Sequence, residues 1–197
     1  MVSLLLKLRI IQRKVAPVLI DFNLADEPKS LFSSFEEATS YLDSVCARMK
    51  VNHLSYWLVS TVDGTPDQVS WIATYDPSYM SYYMANYTPL GDPMFESSIA
   101  ENSIIDWNQW LPTDPVSQTM EITAAKYGIT KYGISIPLLD GDFGNVLFSV
   151  NVQSSDAEWG TLRSTLVARM RPFALYFHQR AKPLIESRKI KDMTFAA

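Results

Sequence analysis

Tyr75, Tyr79 and Tyr83 recur every four residues, and Asp92 follows nine residues after the last of them. A tyrosine joins an apolar ring to a hydroxyl that needs a partner. A helix with Tyr79 and Tyr83 on one face and Tyr75 at its mouth therefore suits a pocket for a mostly apolar ligand with a polar head. A carboxylate set among such rings is costly unless a donor meets it, which makes Asp92 a candidate acceptor for an N–H group. Plainer uses exist for the same residues. The tyrosines would equally serve an ordinary aromatic core, and Asp92, followed by Pro93, would cap a helix. The stretch from Tyr75 to Trp110 nonetheless holds eight aromatic residues in 36, against 12% for the whole chain.

Nothing comparable argues for catalysis. His53 and His178 lie far apart in sequence, and Cys46 is the one cysteine, so neither a thiolate-rich zinc site nor a histidine cluster is expected. Asp142-Phe143-Gly144 spells a kinase triplet but lacks the glycine-rich loop, strand lysine and catalytic loop that give it meaning, and it reads as a hairpin turn. There is no G-x-S-x-G elbow, H-E-x-x-H pair or P-loop. The run Arg188-Lys189-Ile190-Lys191 reads as a solvated tail. The expectation is a non-enzyme with no cofactor and no metal.

Composition agrees. With 197 residues, 47% hydrophobic and 19% charged, the chain is long enough for one domain with a real core and too apolar for disorder. A net charge of −4 does not suit a polyanion binder. A lone cysteine suits a reducing, cytoplasmic setting. No apolar run approaches the ~20 residues of a membrane span, and in residues 1–20 the basic residues interrupt the apolar ones, unlike a secretory signal. Residues 1–29 are read as a loosely ordered extension in preference to a basic amphipathic surface helix.

The elements that would position the aromatic stretch are legible. Ser34 and Glu37 form a capping box, and Phe35, Ala38, Leu42, Val45 and Met49 make one apolar stripe of a helix. His53 to Thr61 and Gln68 to Tyr75 read as strands joined by a turn at Asp63–Pro66. Asp76-Pro77, Asp92-Pro93 and Asp114-Pro115 are three helix starts of one kind. Ile134 to Leu138 and Asn145 to Val152 flank a second hairpin turn. A last helix after Ser155 buries Trp159, Leu162, Leu166, Met170, Phe173 and Phe177. Helices before, between and after hairpins imply an α/β (α+β) fold. We expect an α–β–α sandwich with a central antiparallel sheet of about five strands and helices on both faces.

The string TYDPSYMSYYMANYTPLGDPMFESSIAENSIIDW, with KYGISIPLLDGDFGNVLFSVNVQ after it, resembles the autoinducer-binding domain of LuxR-family quorum-sensing regulators. Tyr75, Tyr79, Tyr83, Asp92-Pro93 and Trp107 match that family's aromatic and Asp-Pro positions without a gap, and Gly133 matches its strand glycine. The resemblance covers roughly residues 34–183. It implies a domain over residues 30–185 and a tail over 186–197. No helix-turn-helix unit follows, so no direct nucleic-acid binding and no membrane are expected of this chain. It also implies an N-acyl-homoserine lactone or similar amide as ligand. Asp92 would accept from the amide N–H, Tyr75 would donate to the acyl carbonyl, Tyr83 and Trp107 would wall the head, and Ser135 would offer a polar contact.

Two positions depart from the pattern. Tyr79 stands where the family has a Trp that donates to the lactone carbonyl, and Leu147 stands where it often has a Ser or Thr. A sensor of a different, non-lactone signal and a ligand-free dimerisation module thus remain alternatives. The partners implied are a small-molecule signal and a second protein chain, in a homodimer or a heterodimer with a full-length LuxR-type regulator. In such a heterodimer a chain of this length would act as a truncated antagonist.

Overall fold

Helices begin where the sequence supplies an acceptor for their first N–H groups. The computed structural model describes residues 23–62, 65–87, 91–110, 114–140 and 144–195. Within it, Ser34 caps α1 (Phe35–Met49), Asp76 caps α2 (Pro77–Asn86), Asp92 caps α3 (Pro93–Glu101) and Asp114 caps α4 (Pro115–Lys126). Glu37 reaches back one residue further than a capping box requires, accepting from the Ser33 N–H at 2.7 Å. After α4 the chain turns through Gly128 at φ +77°, a conformation that suits a residue without Cβ. The last helix, α5 (Asp156–Phe195), continues through Pro172 and Pro183 and through residues 186–195.

Five strands form one antiparallel sheet in the order β2-β1-β5-β4-β3. They are β1 (His53–Val62), β2 (Thr65–Ala73), β3 (Ile105–Asp106), β4 (Gly133–Asp140) and β5 (Gly144–Asn151). The expected turn at Asp63–Pro66 falls partly, and the triplet 142–144 largely, outside the described residues. The short β3 was not foreseen. It pairs only with Ile134 and Ser135, so from Ile136 onward β4 is an edge strand, which is where Pro137 can omit its N–H without breaking a ladder.

Alternation along the strands assigns the two faces. Leu54, Tyr56 and Leu58 of β1, Ile134 and Ile136 of β4, and Val146, Phe148 and Val150 of β5 pack with Leu42, Val45 and Met49 of α1 and Leu166, Met170, Phe173 and Phe177 of α5. Each large apolar side chain buried there contributes roughly 1.5–3 kcal/mol, so this layer carries most of the stability. The opposite face packs Trp57, Val59 and Leu147 against Tyr79, Met80 and Tyr83 of α2, Phe95 of α3 and Ala124 of α4. The architecture is the three-layer α–β–α sandwich with helices on both faces.

Residues 24–32 lie against the α1–α5 layer. Buried Glu27 pairs with Arg48 and accepts from the Tyr41 hydroxyl, Tyr176 donates to the Pro28 carbonyl, and the Arg180 guanidinium sits 4.0 Å from the centre of the Phe32 ring.

Trp107 lies flat on the first residue of β4. A Cβ at Gly133 would fall 2.4 Å from the Trp107 ring, so one of them would have to move. The change Gly133→Ala is expected to destabilise the fold by about 1–3 kcal/mol, as overpacking does, measured by urea unfolding. Unchanged stability would show that the indole moves aside without cost.

Candidate functional site

Between the sheet and α2, α3 and α4 lies a cavity of about 360 Å³. All seven residues singled out from the sequence line it: Tyr75, Tyr79, Tyr83, Asp92, Trp107, Ser135 and Leu147. Helices α2 and α3, strands β4 and β5 and the turn after β3 had to converge for this. Tyr79 and Tyr83 stand one turn apart on α2, with rings 6.1 Å apart, and Tyr75 precedes the helix with its ring edge-on to Tyr79 at 5.6 Å. Asp92 comes from the start of α3, and Ser135 and Leu147 come from the cavity face of β4 and β5.

Asp92 is both cap and wall. Its Oδ1 accepts from the Met94 and Phe95 N–H groups at 2.9 and 3.4 Å, and its Oδ2 accepts from the Tyr83 hydroxyl at 2.9 Å. Withdrawal from bulk water nevertheless dominates, and it pushes the Asp92 pKa above the usual carboxylate range. Each carboxylate oxygen can accept more than one bond, so Oδ2 retains capacity toward the cavity. Burial drives the Tyr75 hydroxyl up to about 12 and that of Tyr83 well above its ordinary value, so both are neutral donors at physiological pH. The Tyr79 hydroxyl has no hydrogen-bond partner among the described residues.

The sheet side of the cavity holds residues the sequence reading did not single out. Ser55 and Trp57 of β1 and Ser149 of β5 face it. Trp107 Nε1 donates to Ser135 Oγ at 2.8 Å, and Ser135 and Ser149 share a hydrogen bond at 2.9 Å. Trp57 Nε1 donates to Ser55 Oγ at 3.2 Å, and the Tyr75 hydroxyl lies 3.4 Å from it. The signal for Ser149 was present in the register of the second hairpin. That for Ser55 and Trp57 was not, because it needs the pairing of β1 with β5. The rest of the lining is apolar at Met94, Phe95, Met120, Ala124 and Ile129 and polar at Ser117, Thr130 and the exposed Glu121 and Lys131. Such a space can hold an apolar ligand and offer it one strong acceptor and several neutral donors. Among the described residues no group of three or more His, Cys, Asp and Glu could hold a metal ion, and no helix is long and apolar enough to cross a membrane.

The autoinducer-binding domain family matches residues 34–181. Among solved structures, the chain is similar to the N-acylhomoserine lactone-dependent LuxR-family factor CepR2 of Burkholderia cenocepacia. The TM-score is 0.59 at 18% identity, over 76% of this chain and 87% of that one. It is similar to SdiA in complex with octanoyl-rac-glycerol, with a TM-score of 0.56 at 16% identity, over 78% of this chain and 61% of that one. A solution structure of residues 1–171 of Escherichia coli SdiA gives a TM-score of 0.51 at 15% identity, over 75% of this chain and 86% of that one. At these identities the likeness shows the fold. The chain thus spans less than two thirds of the SdiA chain bound to octanoyl-rac-glycerol. No curated protein sequence matches it.

A raised pKa has a consequence for the ligand-free protein. A group whose folded-state pKa lies above its unfolded value adds stability below the unfolded pKa of about 3.9, and that stability is lost as pH rises through the folded value. The change Asp92→Asn removes this loss. Relative to the parent, the variant should therefore gain stability as pH rises from about 4 toward neutrality, read from urea midpoints at several pH values. A difference that stays flat with pH would show that Asp92 is not destabilised by its surroundings.

Proposed function

The chain belongs to the autoinducer-binding domain family, and we propose that its cavity binds an N-acyl-homoserine lactone or a similar amide signal without catalysis. Domains of this family are signal sensors, and the observation that carries the finer reading is Asp92. Its carboxylate is withdrawn from water beside a largely apolar space, with part of its accepting capacity turned toward that space. An amide N–H is the donor that such an acceptor lacks. Tyr75 would donate to the acyl carbonyl, Tyr83 and Trp107 would wall the head group, and Ser135 and Leu147 would line the floor.

The mechanism is linkage. A ligand that fills the cavity and supplies the Asp92 donor binds only the folded state and stabilises it by mass action, about 2.7 kcal/mol at a hundred times its Kd. In this reading the chain is a cytoplasmic sensor that needs no cofactor and works as a dimer, with itself or with a full-length regulator of the same family.

One observation favours a second reading. The Tyr79 hydroxyl has no partner among the described residues and stands where the sequence pattern of the family places Trp. A phenol both donates and accepts, so a hydroxylated head in place of a lactone would suit it. One neighbour, SdiA, has been solved with octanoyl-rac-glycerol.

A thermal-shift panel separates the readings. A cavity of about 360 Å³ lies at the small end of the range for small-molecule sites, roughly 300–1,000 Å³, which favours short acyl chains. N-acyl-homoserine lactones with about four to six acyl carbons should raise the melting temperature by about 5–10 °C at saturating concentration, more than longer ones do. The change Asp92→Asn should weaken the best ligand about 10- to 100-fold, the value of a hydrogen bond to a charged group. A shift with 1-octanoyl-glycerol and none with any lactone would support the second reading. No shift with any compound would overturn both.

A further inference from the structure

Residues 23–32 lie outside the stretch that the family matches, which begins at residue 34, yet they are fastened along the groove between α1 and α5. Apart from a single turn at Leu24–Asp26 the segment has no regular structure of its own. Glu27 and Phe32 are its buried side chains, and most of the others are exposed. The Phe32 ring sits between those of Tyr41 and Phe177, at 5.4 and 5.3 Å, with the Arg180 guanidinium against it.

The groove meets the segment with donors. Tyr41 and Arg48, two turns apart on α1, donate to the Glu27 carboxylate. Tyr176 and Arg180, one turn apart on α5, donate to the Pro28 and Ser30 carbonyls. In each of these bonds the donor stands on a helix and the acceptor on the segment. The spacings match, because four helical residues rise about 6 Å and two residues of an extended chain advance about 6.6 Å. Withdrawal from water raises the Glu27 pKa, but the Arg48 and Tyr41 bonds outweigh it and hold the carboxyl below its ordinary range. Arg180 is itself buried, and a buried guanidinium is costly unless partners meet it. The segment supplies two of those partners, the Ser30 carbonyl and the Phe32 ring. Two side-chain anchors joined by main-chain contacts, on donors preset by rigid helices, make the geometry by which a folded domain takes an extended peptide.

We propose that the α1–α5 groove is a docking surface for an extended protein segment bearing a carboxylate and, five residues later, an aromatic ring, and that residues 23–32 hold it closed as an internal competitor. Tethered to α1 through Ser33 and Ser34, the strap has an effective concentration on the order of millimolar, so contacts of modest strength keep the groove filled. A partner segment of the same pattern enters by displacing it. The groove lies on the face of the sheet opposite the cavity, so this surface is independent of what the cavity binds.

The test is titration of the full chain with a fluorescent peptide carrying the sequence of residues 23–33. The strap competes in the parent. The double change Glu27→Ala, Phe32→Ala removes both of its anchors, so that variant should bind the peptide about tenfold more tightly than the parent does. A peptide with alanine at both anchor positions should bind neither chain. No binding to a folded double variant overturns the docking surface, and equal binding to parent and variant overturns the strap as competitor. Peptide affinity that rises as the chain is diluted would put the strap of a second copy in the groove and overturn the internal one. If the double variant does not fold, Glu27→Gln alone decides. Binding about threefold tighter than in the parent supports the proposal, and unchanged binding overturns it.

Discussion

Successive side chains of a strand point to opposite faces, and this period of two is the constraint on which both halves of the molecule depend. In β1 and β5 it forces two unlike programmes into alternate positions. Tyr56 and Phe148 are opposite one another on the face toward α1 and α5, and both are completely buried. Ser55 and Ser149, one residue before and after them, are opposite one another on the face toward the cavity. A slip of one residue in either strand would put serines in the core and aromatic rings in the binding space. The core face is therefore what holds the cavity face in register. The stabilisation comes from one side of the sheet and the chemistry from the other.

That division explains how a domain can enclose a ligand-sized cavity. Side chains around a cavity lose contact partners, and the loss is not regained until something occupies the space. Here the loss falls on the layer of α2, α3 and α4, while Leu42, Met49, Leu166, Phe173 and Phe177 close the other layer. Asp92 adds to the cost. Its bonds to the start of α3 and to Tyr83 tie two helices together around the space, yet they do not restore what its carboxylate loses by leaving water. A group that is useful for joining helices and still undersupplied with donors is suited to a site whose occupancy alters stability.

The layers and seven of the residues that line the cavity were legible in the sequence, the layers because they follow from local rules. Helix starts were marked by Asp-Pro pairs, the apolar stripes of α1 and α5 had helical spacing, and Tyr79 and Tyr83 had to share a face. What stayed hidden depends on pairing between distant segments. The two-residue β3 is too short to leave a periodic signal, and only its contact with β4 defines it. Ser55 looks like any polar residue in a half-buried strand until β1 is placed beside β5. The bond from Tyr83 to Asp92 was likewise invisible, since spacing gives a shared neighbourhood and says nothing about which hydroxyl meets which carboxylate.

The same short β3 shows how the two layers are joined. Asp106 and Trp107 are consecutive, and their side chains engage opposite sides of the sheet. Asp106 is buried against α5, where it accepts from Trp159 Nε1 at 3.0 Å and pairs with Arg163 at 2.8 Å. Trp107 lies over Gly133 and bonds Ser135 at the cavity. A single peptide unit thus links the first turns of α5 to the aromatic wall of the binding space. The aspartate is held by an ion pair and an indole in a setting where an uncompensated charge would be costly, so its backbone has little freedom to shift. The tryptophan inherits that rigidity. Its ring is pinned from below by a residue that must lack Cβ and from behind by a neighbour anchored in the core layer. The cavity wall at this point is tied to α5, whereas the wall contributed by α4 consists of Ser117, Met120, Glu121, Ala124 and Ala125.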